Sequence, residues 1–283
     1  MIRPSIASDE AGLKTLWQIA FGDSPEAIDA FFSALYTPGT ALVWDDLGTI
    51  ASAMYLLDAG LTPLPDGTML RTSYAYALGT LPAYRGRGMG SAVTRAVMAR
   101  SVGLAYDCNV TCPAEKSLFS YYMGLGYDHS IPIAEVKILR SESFKFVDTN
   151  KIMSTDFFKY SLLHRKYTPR YGTQYPADYL RYVEQSCKAS GGGLYELELD
   201  GSLCLAAVSI AENHLFVREF LGGASAELGV QTLLQHFNLQ SATLRTVAEN
   251  NTEGFEQRPF VLVSYAESQR LPPSAGYFPF VLD

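Results

Sequence analysis

At 283 residues the chain has room for one large domain or two of ordinary size. Its 48% hydrophobic and 18% charged residues make a globular composition and exclude a disordered chain. The formal charge of -7 speaks against a nucleic-acid partner, which needs a basic face to displace phosphate counterions, and suits a cationic ligand such as an amine.

The opening decapeptide MIRPSIASDE has no apolar core of signal-peptide length, and no run approaches the roughly 18 apolar residues of a membrane helix. The expectation is a soluble, cytoplasmic protein with no membrane partner. A short strand comes first. Ser8 and Asp9 then read as the cap of a helix with Leu13, Leu16, Trp17 and Ala20 on one face. Ser24, Pro25 and Glu26 supply an N-cap, a first-turn proline and an early acid for a second helix striped by Ile28, Phe31, Phe32 and Leu35. Strands are predicted over residues 40–44, 49–57 and 70–81, with a hairpin turn at Asp46-Leu47-Gly48 and an exposed loop over residues 62–67. Residues 88–102 are helical, with Met89, Ala92, Val93, Ala96 and Val97 on one side, and residues 107–112 return to strand. Strand, helix and strand joined this way form a right-handed parallel crossover. A short helix follows Pro113, and residues 131–139 make a further strand.

The second half predicts helices over residues 154–166 and 176–188, then a hairpin of 194–199 and 203–210 around Asp200-Gly201. A strand over 214–221, a helix over 226–237 and strands over 242–247, 259–266 and 277–282 complete it. That order repeats the first half without a residue-level repeat. The sequence thus divides into domains 1–140 and 141–283, both α+β.

Cys108, Cys112, Cys187 and Cys204 are too few for a disulfide scaffold and include no CxxC pair, so they read as buried thiols. His129, His164, His214 and His236 show no metal spacing, and no metal is expected. His164 and His236 read as surface or interhelical residues. Asp58 and Asp66 read as part of a solvated loop, and the aromatic-basic run over 157–167 as an amphipathic packing face with a basic last turn.

The chemistry concentrates in Thr80-Leu81-Pro82-Ala83-Tyr84-Arg85-Gly86-Arg87-Gly88-Met89-Gly90-Ser91, where a strand ends, an arginine-glycine loop follows and a helix begins at once. Such a loop turns consecutive backbone N–H groups toward one point at the positive end of a helix dipole, where a pyrophosphate is the natural occupant. Gly86, Gly88 and Gly90 allow close approach and positive φ, and Arg85 and Arg87 add charge. The loop lacks the lysine of a Walker motif, and its GxGxG spacing and mid-domain place depart from a dinucleotide fold.

Arg85-Gly86-Arg87-Gly88-Met89-Gly90 resembles the Q/R-x-x-G-x-G/A motif of the GNAT N-acetyltransferase superfamily, and Leu81-Pro82 resembles its apolar-x-P lead-in. Tyr122-Met123-Gly124-Leu125-Gly126-Tyr127 resembles the family's Y-x-x-x-G-F/Y element. The resemblance covers the first half. It implies a GNAT fold, a mixed and mostly antiparallel sheet flanked by helices, with a second, degenerate copy in tandem.

It further implies an acetyl-coenzyme A-dependent N-acyltransferase, with a non-catalytic acyl-coenzyme A or metabolite binder as the alternative. Coenzyme A would be held by the backbone of Arg85, Gly86, Arg87, Gly88, Met89, Gly90 and Ser91, with Thr80 and Leu81 pairing to the pantetheine like an added strand. Tyr122 falls where the family places the phenol that protonates the departing thiolate, with Tyr121 as the neighbouring candidate. The acceptor would be a small-molecule or peptide amine, transfer would be direct, and no metal would take part. Many members carry an asparagine early in the tyrosine's helix; here Pro113-Ala114-Glu115-Lys116 stands instead. The layout also resembles two-lobed acetyltransferases of the Eis type, which implies a C-terminal carboxylate, here Asp283, near the tyrosine.

Overall fold

The computed structural model describes residues 1–64, 66–144, 151–169, 172–248, 254–266 and 276–280. It divides into two compact units, residues 1–131 with residues 260–266, and residues 132–259 with residues 276–280.

In the first unit β1 (Ile2–Pro4) leads through a single 3-10 turn into α1 (Glu10–Phe21). The α2 helix (Pro25–Ala34) starts where Ser24 Oγ accepts the Ala27 N–H at 3.3 Å. An antiparallel meander follows, β2 (Ala41–Asp46), β3 (Thr49–Pro63) and β4 (Met69–Thr80). The expected loop at 62–67 is shorter than the sequence suggests. Thr62 continues β3 because its hydroxyl meets that of Thr72 across the pair at 2.8 Å, with both residues fully buried. Next come α3 (Met89–Gly103), β5 (Cys108–Thr111) and α4 (Lys116–Met123). The β5 strand runs parallel to β4, completing the crossover. Its other edge is taken by Leu262–Tyr265, antiparallel, from the far end of the chain. Leu262 joins Met54, Ala75, Val93, Val97, Tyr122 and Tyr127 in one buried core. The first unit is therefore discontinuous in sequence.

In the second unit β6 (His129–Leu139) pairs with a strand much later in the chain. A strand the sequence reading missed, β7 (Lys151–Thr155), precedes α5 (Phe157–Tyr167). The predicted helix start at 154 moves to Phe157 because Asp156 is the cap, accepting the Lys159 N–H at 2.8 Å. The unit continues with α6 (Ala177–Ala189), β8 (Gly193–Leu199), β9 (Ser202–Ala211), β10 (His214–Gly222), α7 (Ala226–His236), β11 (Ser241–Val247) and β12 (Glu256–Tyr265), whose last residues belong to the first unit. Asp200 and Gly201, both at positive φ, make the expected tight hairpin.

The meander β7–β8–β9–β10 followed by α7 and a parallel β11 repeats the order β1–β2–β3–β4, α3, β5. Leu197, Leu199, Val208, Val217, Val230 and Leu233 centre its core. Tyr277 makes an isolated bridge to Gly172 in place of the expected strand over 277–282, and Leu282 and Asp283 lie outside the described residues.

His164 is buried and not on the surface. Its Nε2 lies 3.2 Å from Glu219 Oε1, while Tyr160 Oη donates to Glu219 Oε2 at 2.9 Å. No described helix is long and apolar enough to cross a membrane.

Candidate active site

The β4–β5 ladder ends at Tyr74 opposite Val110. Beyond it the strands part, β4 running on through Ala75–Thr80 to the glycine loop and β5 through Thr111 to Pro113 and α4. On β4 this fork coincides with a bulge. Ala53 faces Gly79 and Tyr55 faces Tyr76, so β4 carries one residue more than β3 there. Ala77 sits in the left-handed region at φ 52°, a conformation an alanine adopts only when its surroundings impose it. The bulge takes the Ala77–Leu78 backbone out of the ladder, where Leu78 lines the clefts at the fork. Nothing in Tyr76-Ala77-Leu78 marks a bulge in the sequence.

A cleft of about 540 Å³ opens on one side of the fork. Thr80, Arg85, Gly86, Gly88, Met89, Gly90 and Ser91 line one end, and Leu78, Tyr121 and Tyr122 line the other. Gly79 lets α1 close over β4, since a Cβ there would lie 3.2 Å from Ala20 Cβ. The loop takes its turn at Gly86 and Gly88, with φ of 75° and 77°. Gly88 is the N-cap of α3 and offers no side chain to its free N–H groups. The helices α2, α5 and α7 are each closed by a side chain, of Ser24, Asp156 and Ser225. The first intrahelical bond of α3 is Ala92 N–H to Gly88 O. The N–H groups of Met89, Gly90 and Ser91 therefore point out of the helix toward the cleft, at the positive end of its dipole.

Arg85 is fixed by its Nε donating to Thr80 O at 3.1 Å. Two expected contacts fall outside the lining. Arg87 stacks over the Tyr84 ring at 5.3 Å, and the Leu81 N–H is spent on Ala51 O of β3 at 2.9 Å. Thr80 lines the cleft with its hydroxyl 2.9 Å from that of Ser52.

Tyr122 is 7% exposed and packs edge-on against Tyr121 and Tyr127, at 5.1 and 5.8 Å between centroids. Burial raises its hydroxyl pKa well above the usual tyrosine value, with Tyr121 adding to the rise and a hydrogen bond with Thr111 opposing it. It is a neutral donor throughout the physiological range. Behind it the Tyr127 hydroxyl donates to Asn109 Oδ1, which anchors the turn after α4.

Tyr122, Phe21, Leu78 and Leu118 also line a second cleft, of about 270 Å³, that opens at the fork on β4 and β5 residues. Of the cysteines, only Cys112 borders either of these clefts. All four are free thiols, and burial pushes Cys108 up to about 12. Asp58 and Asp66 accept backbone N–H groups two residues on, from Gly60 and Thr68. Among the described residues no group of three His, Cys, Asp or Glu is placed to hold a metal ion.

The second unit has no such loop. Between β10 and α7 stands Gly223-Ala224-Ser225, where Ser225 Oγ accepts the Leu228 N–H at 3.3 Å and occupies the helix start. Phe220 packs directly on Gly229, where a Cβ would fall 2.1 Å from the ring.

Among curated proteins no relative matches the chain. Its folding pattern does recur in solved structures. A GCN5-related N-acetyltransferase from Anabaena variabilis is 11% identical, with a TM-score of 0.73 over 94% of this chain and 73% of that one. Eis1 from Mycobacterium abscessus is 13% identical, with a TM-score of 0.68 over 94% and 74%. A tandem GNAT protein from the clavulanic acid biosynthesis pathway is 15% identical, with a TM-score of 0.54 over 95% and 99%. These likenesses show the fold, α+β with the GNAT arrangement in tandem. Residues 1–130, which hold the glycine loop and the forked strands, match the model of the acetyltransferase (GNAT) domain.

Proposed function

We propose that the first unit transfers an acetyl group from acetyl-coenzyme A directly to the nitrogen of an amine. The observation that carries this reading is a single cleft with the open α3 N-terminus at one end and a buried, protonated phenol at the other. The residues present fit the coenzyme. Three outward N–H groups and Arg85 suit the pyrophosphate, and the parted edge of β4 from Leu78 to Thr80 suits the pantetheine amides.

The chain then has three tasks. It holds thioester and amine on the two sides of the fork, which removes much of the entropy barrier to their meeting. The bulge frees the Ala77–Leu78 backbone from the ladder beside the fork, and its N–H groups would be the donors for the carbonyl oxygen as charge builds on it. Tyr122 supplies a proton to the sulfur. In the balanced step the amine nitrogen forms the C–N bond, the C–S bond breaks, the nitrogen's extra proton leaves to water and the thiolate takes the phenolic proton. Water then reprotonates the tyrosinate. The thioester is already activated, so no metal is invoked.

The test is release of free thiol from acetyl-coenzyme A in the presence of amines, with mass spectrometry of the acceptor. Turnover with an acetylated amine supports the reading. Tight coenzyme binding with no acetylated product from any amine would favour a binding protein instead.

A further inference from the structure

The second cleft differs in chemistry from the first. Trp17, Tyr76 and Tyr74 stand in a row, with Trp17 and Tyr76 edge-on at 5.6 Å and Tyr76 and Tyr74 tilted at 5.4 Å between centroids. Phe21 and Tyr122 add two more rings. One carboxylate reaches this wall, that of Asp23, which lies in the turn between α1 and α2. It is held by the indole N–H of the buried Trp17, which donates to Asp23 Oδ2 at 2.7 Å. Among the described residues no lysine, arginine or second carboxylate lines the cleft.

Each feature restricts the occupant. A volume of about 270 Å³ lies just under the roughly 300 Å³ lower bound of pockets for drug-sized ligands, so the guest is small. It is too large for an acetyl group alone. Aromatic faces attract a cation and also stack on a flat apolar body. One fixed carboxylate pairs with one ammonium. Without a basic partner, a carboxylate on the guest would be desolvated unpaired, and further ammonium groups would have no counter-charge.

We infer that the acceptor is a small primary monoamine on an aromatic body, seated against Trp17, Tyr74 and Tyr76, with Asp23 drawing in its ammonium, which gives up one proton to water before the neutral nitrogen attacks. This rests on the acetyl-transfer reading and adds to it the class of amine. Tyr122 borders both clefts, so an amine here meets the thioester at the fork.

The experiment compares amines at saturating acetyl-coenzyme A, by thiol release, on the full chain. The panel holds 2-phenylethylamine, phenylalanine (the same skeleton with a carboxylate), spermidine and a lysine-containing peptide. The expected order puts 2-phenylethylamine at least about tenfold above the others in kcat/KM, the step that loss of one paired charge or methylene-sized contact brings. Asp23→Asn should raise its KM by a similar factor, with the affinity for acetyl-coenzyme A unchanged by calorimetry. Tyr76→Leu, which keeps an apolar wall but removes the ring face, should do the same and guards against a misfolded Asp23 variant.

Preference for spermidine, the peptide or phenylalanine would overturn the inference and leave acetyl transfer standing. So would a cleft that accepts longer acyl chains, seen as tighter binding of octanoyl- than acetyl-coenzyme A with no aromatic amine turned over. Failure of acetyl-coenzyme A to bind at all would overturn both.

Discussion

The hydroxyl of Ser91, in the first turn of α3, donates to the hydroxyl of Tyr121 at 3.2 Å. That bond turns Tyr121 toward the glycine loop, and Tyr121 lines only the larger cleft. Its neighbour Tyr122 turns the other way and borders both clefts. Two adjacent tyrosines are thus told apart in the structure by one hydroxyl contact.

Tyr122→Phe should keep coenzyme affinity and lower kcat by about 10²–10⁴, the range for losing a general acid. Tyr121→Phe should fall well short of about 10² and act mainly on coenzyme affinity. Steady-state kinetics beside calorimetric titration separates the two effects. A larger loss of kcat for Tyr121→Phe would exchange their roles.

Gly88→Val should abolish coenzyme binding. Its backbone φ of 77° is strained for any residue with a Cβ, by about 1–2 kcal/mol, and the side chain would stand beside the outward N–H groups of α3. The unsubstituted protein should bind one coenzyme per chain, because Ser225 already fills the corresponding helix start in the second unit. Calorimetry giving two equivalent sites would contradict that closure.

The protein should unfold abruptly just above pH 10. Burial holds Tyr55, Tyr122, Tyr127, Tyr160, Tyr175 and Tyr277 protonated well beyond the ordinary tyrosine range. Their folded pKa values are raised, so their contribution is fully present below the unfolded pKa of about 10. Above it the unfolded chain releases protons that the folded one retains. Each further pH unit then removes up to about 1.4 kcal/mol per buried tyrosine. Tyrosinate absorbance and circular dichroism should change together over that window. Gradual ionisation of all tyrosines with the dichroism intact would contradict the burial.

Glu219→Ala should destabilise the second unit by about 1–3 kcal/mol for each of the two buried groups it leaves without an acceptor. It leaves the Tyr160 hydroxyl and the His164 ring, both buried, without their shared acceptor. Urea denaturation of the full chain measures this. A change below about 1 kcal/mol would mean that water replaces the carboxylate.

What was legible in the sequence was local. The glycine loop announces itself because φ restrictions, helix start and charge all fall within a few consecutive residues. The helix caps Ser24 and Asp200-Gly201 turn are of the same kind. The bulge at Ala77 was not legible, because an alanine forced into the left-handed region leaves no trace in residue type. Nor was β7, whose Lys151-Ile152-Met153-Ser154-Thr155 runs straight into a helical pattern until the Asp156 cap is seen. His164 reads as surface or interhelical, and its burial beside Glu219 is not legible, since Glu219 lies on a distant strand and pairing across a fold has no local spacing. Leu81 carried the right motif position, yet its N–H is committed to Ala51, a choice made by strand register.

The strand Leu262–Tyr265 bears on how the site comes into being as the chain is made. Ribosomes deliver the glycine loop, the fork and both tyrosines early, but β5 keeps a bare hydrogen-bonding edge until this late segment emerges. Through that interval the nascent first unit has an open sheet margin and lacks Leu262 in the core beneath Tyr122. The arrangement at the fork is thus completed only once that later segment has been made, and the exposed edge is where a misplaced strand from another copy would find its hold.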